Sequence, residues 1–235
     1  MSRKKIVIIT ILMLSVVFIM ACSNQETVPS ENQGSSHASF WEASTSKELI
    51  EQADIIGYGR VIDSYTTLVH DLVATCNVVE FDNIYMLSNK LTEKIFNKST
   101  FADGSQRIEL RQTGGVYEEY KTQPISNVPL LEVGKTYVLF LRHLHYDDFD
   151  FELDYDFNHY LIIGGYQGVA EVENDEIRFA QREGSEHYDF SDLNVRVEDL
   201  ADRLQEFKLD KKRYIINTEK KQSKEFISDA VKRIR

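Results

Sequence analysis

Tyr137-Val138-Leu139-Phe140-Leu141-Arg142 opens on five apolar residues in unbroken succession. A run this short, entered through the turn Glu132-Val133-Gly134-Lys135-Thr136, reads as a strand. Its lack of alternation predicts cover on both faces, so layers of structure must lie on either side of it.

Outward from this strand the period-two signal recurs. Arg107-Ile108-Glu109-Leu110-Arg111-Gln112 alternates, with Ile108 and Leu110 inward, and stops at Thr113-Gly114-Gly115. Ile55 to Ile62 reads as another strand, in which Gly57 and Gly59 predict a bend or a close backbone approach. Val73 to Leu87 reads as a long bent strand. Tyr160-Leu161-Ile162-Ile163 ends at Gly164-Gly165. Val169 to Val172 and Ile177 to Ala180 form a hairpin about the polar turn Glu173-Asn174-Asp175-Glu176.

Helices flank these strands. Thr45-Ser46-Lys47-Glu48 has the form of a capping box opening a short helix through Ala53. Val197, Leu200, Leu204 and Phe207 recur at helical spacing from near Asp192. Residues 208–219 read as a polar connector interrupted by Tyr214-Ile215-Ile216. A last helix carries Phe226, Ile227, Ala230, Val231 and Ile234 on one stripe. The expected class is mainly β with flanking helices (α+β), one short helix preceding the strands and two following.

The N-terminus carries a different message. Met1-Ser2-Arg3-Lys4-Lys5 precedes fifteen residues in which only Thr10 and Ser15 are polar, then Ile19-Met20-Ala21-Cys22. This is the secretory pattern, with an apolar stretch short for a spanning helix. The last four residues resemble a bacterial lipobox. The resemblance implies cleavage between Ala21 and Cys22, diacylglycerol on the Cys22 thiol, and a chain held on the extracytoplasmic face of a membrane. An uncleaved anchor with Cys22 unmodified is the alternative. Residues 23–39 are polar and read as a tether reaching roughly 20–25 Å.

Removing residues 1–21 takes the net charge from −11 to −14. Such a surface repels anionic lipid and nucleic acid. The charge is unevenly spread: residues 211–235 carry nine basic groups against three acidic ones, leaving −20 on residues 22–210. That segment is either a solvated helix against the acidic body or a docking element. Beyond Cys22 only Cys76 remains, so no disulfide framework is expected. Cys76 lies on a strand and reads as a small core residue; a nucleophile there would need a base beside it.

Ala53 to Ile62, Phe81-Asp82-Asn83-Ile84-Tyr85, Arg111 to Gly115, Leu131 to Leu141 and Gly164-Gly165-Tyr166-Gln167-Gly168 follow in an order that resembles a known family. These are largely uncharacterised lipoproteins of Gram-positive bacteria. Their barrel is similar to the netrin/tissue-inhibitor-of-metalloproteinase version of the OB-fold, and the resemblance covers roughly residues 45–180. It implies a five- to six-stranded OB-like barrel over 44–182, preceded by a leader (1–21) and tether (22–43) and followed by a helical extension (183–235). Those inhibitors reach a protease zinc with a free N-terminal Cys on the first strand. Cys22 stands some thirty residues before the first strand, so inhibition does not carry over.

One cluster invites chemistry. His143 and His145 share a strand face and, with Asp147 or Asp148, offer ligands for a transition metal. Asp154-x-Asp156-x-Asn158 begins like a calcium loop, but His159 stands where Gly is needed and no Glu closes it. An acidic, aromatic connection between core strands explains the same residues. His70, Asp71 and Cys76 need not converge. Tyr58, Tyr85, Tyr117, Tyr120, Tyr137, Tyr160 and Tyr166 offer an aromatic face or simply core. No nucleophile elbow, zinc helix or phosphate loop is present, and no cofactor is expected.

The residues therefore favour a lipid-anchored, non-enzymatic module that binds a peptide, glycan or protein partner through segments 113–130 and 143–159. The alternatives are a metal-dependent hydrolase using His143, His145 and Asp147, and an envelope scaffold docking through the basic helix at 220–235.

Overall fold

The computed structural model describes residues 42–69, 72–91, 107–124, 129–143, 159–179 and 188–234. The leader, lipobox and tether lie outside them, as do residues 144–158, so the anchoring and calcium-loop expectations concern parts of the chain not described.

Helix α1 spans Ser46–Gln52. Among the described residues ten strands follow in chain order: β1 Ile55–Val69, β2 Leu72–Ser88, β3 Arg107–Thr113, β4 Gly115–Tyr117, β5 Tyr120–Thr122, β6 Thr136–His143, β7 His159–Ile162, β8 Val169–Glu173, β9 Glu176–Phe179 and, later, β10 Tyr214–Ile216. Helices α2 (Leu200–Glu206) and α3 (Ser223–Ile234) lie on either side of β10. The fold is mainly β. No helix of the described residues is long and apolar enough to cross a membrane.

Five strands close a ring in the order β1-β2-β3-β7-β6, with β6 returning to pair β1. All pairings in the ring are antiparallel except β3 with β7. β6 shows why the ring has two cores. Tyr137, Leu139 and Leu141 face inward with Ile55, Phe81, Ile84, Leu110 and Tyr160. Val138 and Phe140 face outward, against Leu49, Ile50, Met86, Phe190, Leu193 and Leu200. The apolar run is thus buried twice over, as its lack of alternation predicts.

Local chemistry sets the elements. The Thr45 hydroxyl accepts from the Glu48 N–H at 3.2 Å, while the Glu48 carboxylate accepts from the Ser44 N–H at 2.8 Å. The capping box therefore forms, its return bond falling one residue earlier than usual. Gly57 and Gly59 let the Phe81 ring lie against β1: a Cβ at Gly57 would stand 2.7 Å from that ring, and one at Gly59 2.6 Å from the Glu80 carbonyl. The β8–β9 hairpin turns through Asn174 and Asp175, both at positive φ, the geometry of a two-residue hairpin loop. The outer edge of β9 is covered: Ile177 N–H donates to the Val195 carbonyl at 2.9 Å and Phe179 N–H to the Asn194 side-chain oxygen at 3.2 Å.

The C-terminal third departs from expectation. Tyr214-Ile215-Ile216, placed in a polar connector, is a strand on β2, pairing Ser88 to Met86. The helix expected from near Asp192 is two 3-10 turns, Ser191–Leu193 and Val197–Asp199, and α-helix begins only at Leu200. The apolar recurrence is real, but Phe190 and Leu193 follow the surface of the ring, which a straight helix could not do. Phe226, Ile227 and Ala230 of α3 pack into the inner core, so this segment completes the ring's interior.

Candidate functional site

Sheet irregularities point to the site. The β1–β2 register shifts between Ile56/Gly57, Tyr58/Gly59 and Val61/Asp63. The first two leave Tyr85 and Asp82 on β2 without a partner residue opposite, which makes each the extra residue of a bulge. Bulges re-aim side chains and bend the strand that carries them. Tyr85 is turned outward, and its hydroxyl donates to the Val197 carbonyl at 3.0 Å.

Above Tyr85 opens a cleft of about 360 Å³, lined by Asn83, Tyr85, Asp175, Arg196, Val197 and Lys220 among others. That is the small end of the range for ligand pockets. Three segments build its rim. Asp175 sits in the β8–β9 turn, and its carbonyl accepts the Val197 N–H at 2.9 Å. Arg196 holds Glu198 at 3.2 Å. Lys220 is carried by a loop that Asn217 fastens to the bulge: Asn217 N–H donates to the Tyr85 carbonyl at 2.8 Å, and its amide donates to the Ile84 carbonyl at 3.0 Å. The Lys220 ammonium then reaches Asp202 at 3.0 Å and the Glu198 carbonyl at 3.1 Å.

Local electrostatics shift three ionisable groups in and beside the cleft. Burial pushes the Tyr85 phenol above its ordinary value, so it stays neutral. The hydrogen bond to Asp202 raises Lys220, which stays charged. Beside them Tyr58 is raised, by burial and then by Asp82 and Asp175. The cleft presents both signs of charge over an aromatic and aliphatic floor.

Of the candidate metal ligands His143, His145, Asp147 and Asp148, only His143 is among the described residues. His143 ends β6 with its imidazole buried, edge-on to the Tyr160 ring at 5.0 Å, and its backbone N–H donates to the Asp54 carboxylate at 3.0 Å. Tyr160 is itself raised by burial and then by Asp54. His145, Asp147 and Asp148 lie outside the described residues, as do His70, Asp71, Ala21 and Cys22. Among the described residues no three His, Cys, Asp or Glu side chains gather as a metal site would require.

Cys76 is buried, as a core residue should be, yet it belongs to neither apolar cluster. It lies opposite Tyr65 on β1 and Arg111 on β3. Burial raises its thiol above the ordinary value, so the reactive thiolate is disfavoured. Of the tyrosines, Tyr137 and Tyr160 are inner core, Tyr85 is in the outer core, Tyr58 packs against that core, and Tyr120 is exposed. Only Tyr85 among the named candidates lines the cleft. Asn83 stood in a stretch read only for its family likeness, Lys220 in the basic segment and Arg196 in no motif, and a register shift has no signature in a single sequence.

No protein-family model, curated protein or solved structure matches the chain.

Proposed function

We propose that this chain is a lipid-anchored, extracytoplasmic binding module, an OB-like barrel that takes a short peptide or glycan in the cleft above Tyr85. The observation that carries the binding reading is the cleft itself. Two bulges and the Asn217 clamp place paired opposite charges around an aromatic floor, a lining that suits a small polar or zwitterionic ligand. The barrel reading is supported by five strands closing in the order first-second-third-fifth-fourth, with the third and fifth parallel, as in OB-folds. The anchoring reading is supported by the basic start, the apolar stretch and Ile19-Met20-Ala21-Cys22.

Each half has its own experiment. Isotope-labelled protein titrated with short peptides and with glycan fragments should shift the amide resonances of Asn83, Tyr85, Arg196 and Lys220. Shifts confined to the β4–β5 hairpin would move the site and sink the cleft reading. In cells, a fatty-acid probe should label the chain, and Cys22→Ala should abolish the label. A labelled Cys22→Ala chain would overturn the anchoring.

A further inference from the structure

On an acidic protein, one edge is basic. The Asn89 N–H donates to the Arg213 carbonyl at 2.8 Å and its amide to the Lys212 carbonyl at 2.6 Å. This clamps the end of β2 to the turn at 208–213, and so brings Lys90 to the edge that carries Lys208, Lys211, Lys212 and Arg213. All five are exposed, and among the described residues none of the five is ion-paired. Of the acidic groups nearby, Glu206 and Glu51 are paired with other cations, and Asp210 alone keeps its charge among the five, leaving the edge net positive. Asp210 accepts the Lys212 N–H at 2.9 Å, Glu206 is bound by Arg203, and Glu51 lies 3.8 Å from Lys47. Arg213 is held over the Tyr214 ring at 5.4 Å.

Two further observations set this edge apart. Lys208 ends α2 at φ +50°, a left-handed position where Gly or Asn is the unstrained choice. The Tyr214 hydroxyl donates to the Glu51 carbonyl at the end of α1. α1 is a seven-residue helix about 10 Å long, and it starts three residues after Ala43, near where the described chain begins. The basic edge therefore lies about one short helix from Ala43, near the first described residue.

We infer that this edge docks on the anionic headgroups of a membrane, orienting the domain against the bilayer. The inference rests on the anchoring reading for its context, because a tethered chain meets that surface continually. The net negative charge repels an anionic surface at long range, and salt limits that repulsion. At 0.1 M salt the Debye length is about 10 Å, so carboxylates on the far side are screened while the five cations touch the headgroups. Attraction of basic groups to an anionic leaflet is roughly additive.

The test uses the chain from residue 22 with Cys22→Ser, which carries no lipid; residues 36–235 form a compact unit with both cores inside it. Sedimented with phosphatidylglycerol vesicles at about 0.1 M salt, it should bind, and it should not bind phosphatidylcholine vesicles. The triple variant Lys208→Glu, Lys211→Glu, Lys212→Glu should bind at least about a hundredfold more weakly. Lys208→Gly should weaken binding while raising Tm, which separates lost docking from lost folding. Equal binding to both lipids, or binding unchanged by the triple reversal, overturns the inference. So does release by free glycerol phosphate beyond that caused by potassium chloride of equal ionic strength, since the edge would then be a soluble-phosphate site. Acyl labelling at Cys22 is read separately: its failure with vesicle binding intact sinks the anchoring alone, and the converse sinks the docking alone.

Discussion

β1 and β2 pair with each other from end to end, yet the two halves of their hairpin are different structures. From Ile55 to Val61 almost every residue of β1 is buried, and from Asp63 onward almost none is. The difference lies in the company each half keeps. β6 pairs β1 only from Ile55 to Arg60, so the first half is closed into the ring and sandwiched between two cores. The second half runs on as an arm, leaned on by the small β4–β5 sheet: the Thr66 hydroxyl donates to the Val116 carbonyl at 2.9 Å, and Val73 N–H donates to the Thr122 hydroxyl at 2.9 Å. All three register shifts fall at or before Asp63, and the arm is paired in unbroken register. Bulges bend and twist a strand. They occur where closure requires curvature, and the cleft has grown on that curvature.

Removing the plug should harm the ring most. Phe226→Ala empties part of the inner core from the α3 side and should lower stability by about 3–5 kcal/mol in urea titration. A loss under about 1 kcal/mol would show that the ring stands without α3. Gly59→Ala comes next, because its methyl would press on the Glu80 carbonyl and the Phe81 ring. An overpacking loss of about 1–3 kcal/mol is expected. Thr45→Ala should take about 1 kcal/mol by removing the α1 cap. The arm should scarcely respond: Tyr65→Ala is expected within about 0.5–1 kcal/mol of the parent, since that side chain is 43% exposed. If Tyr65→Ala rivals Gly59→Ala, the two halves are equally structural and the contrast fails.

The smallest expected effect is one of pH. Hydrogen bonds from Lys221 and Lys232 hold Asp229 below its ordinary range. A carboxyl depressed in the folded state contributes stability above its unfolded value, and that contribution is lost as pH falls through the folded one. The acid limb of a stability–pH curve should therefore flatten slightly in Asp229→Asn below about pH 4. A parallel curve would show that the pair contributes nothing to folding.

The same contrast marks what a sequence can disclose. β6 was legible because burial on both faces leaves an unbroken apolar run, and the β8–β9 hairpin because its turn chemistry is local. Gly57 and Gly59 signalled close approach, although the partner, Phe81, lies more than twenty residues away. β10 was missed because three residues are too few to show a period, and what makes Tyr214–Ile216 a strand is the free edge of β2. The stripe on α3 was legible, but its destination in the inner core was not. The cleft was the least visible feature. Its residues run from Asn83 to Lys220 and are joined by a register shift and by Asn217, an unremarked amide in a polar stretch.

One modest feature has consequences for life in a crowd. The backbone donors on the outer side of β9 are occupied by Val195 and Asn194 of the same chain, so the sheet offers no template there on which a neighbour's strand can be added. Confinement to a surface would multiply encounters between copies, and an open border would invite them to polymerise. Closed from within, the border along β9 has no free donors at Ile177 and Phe179 for such contacts.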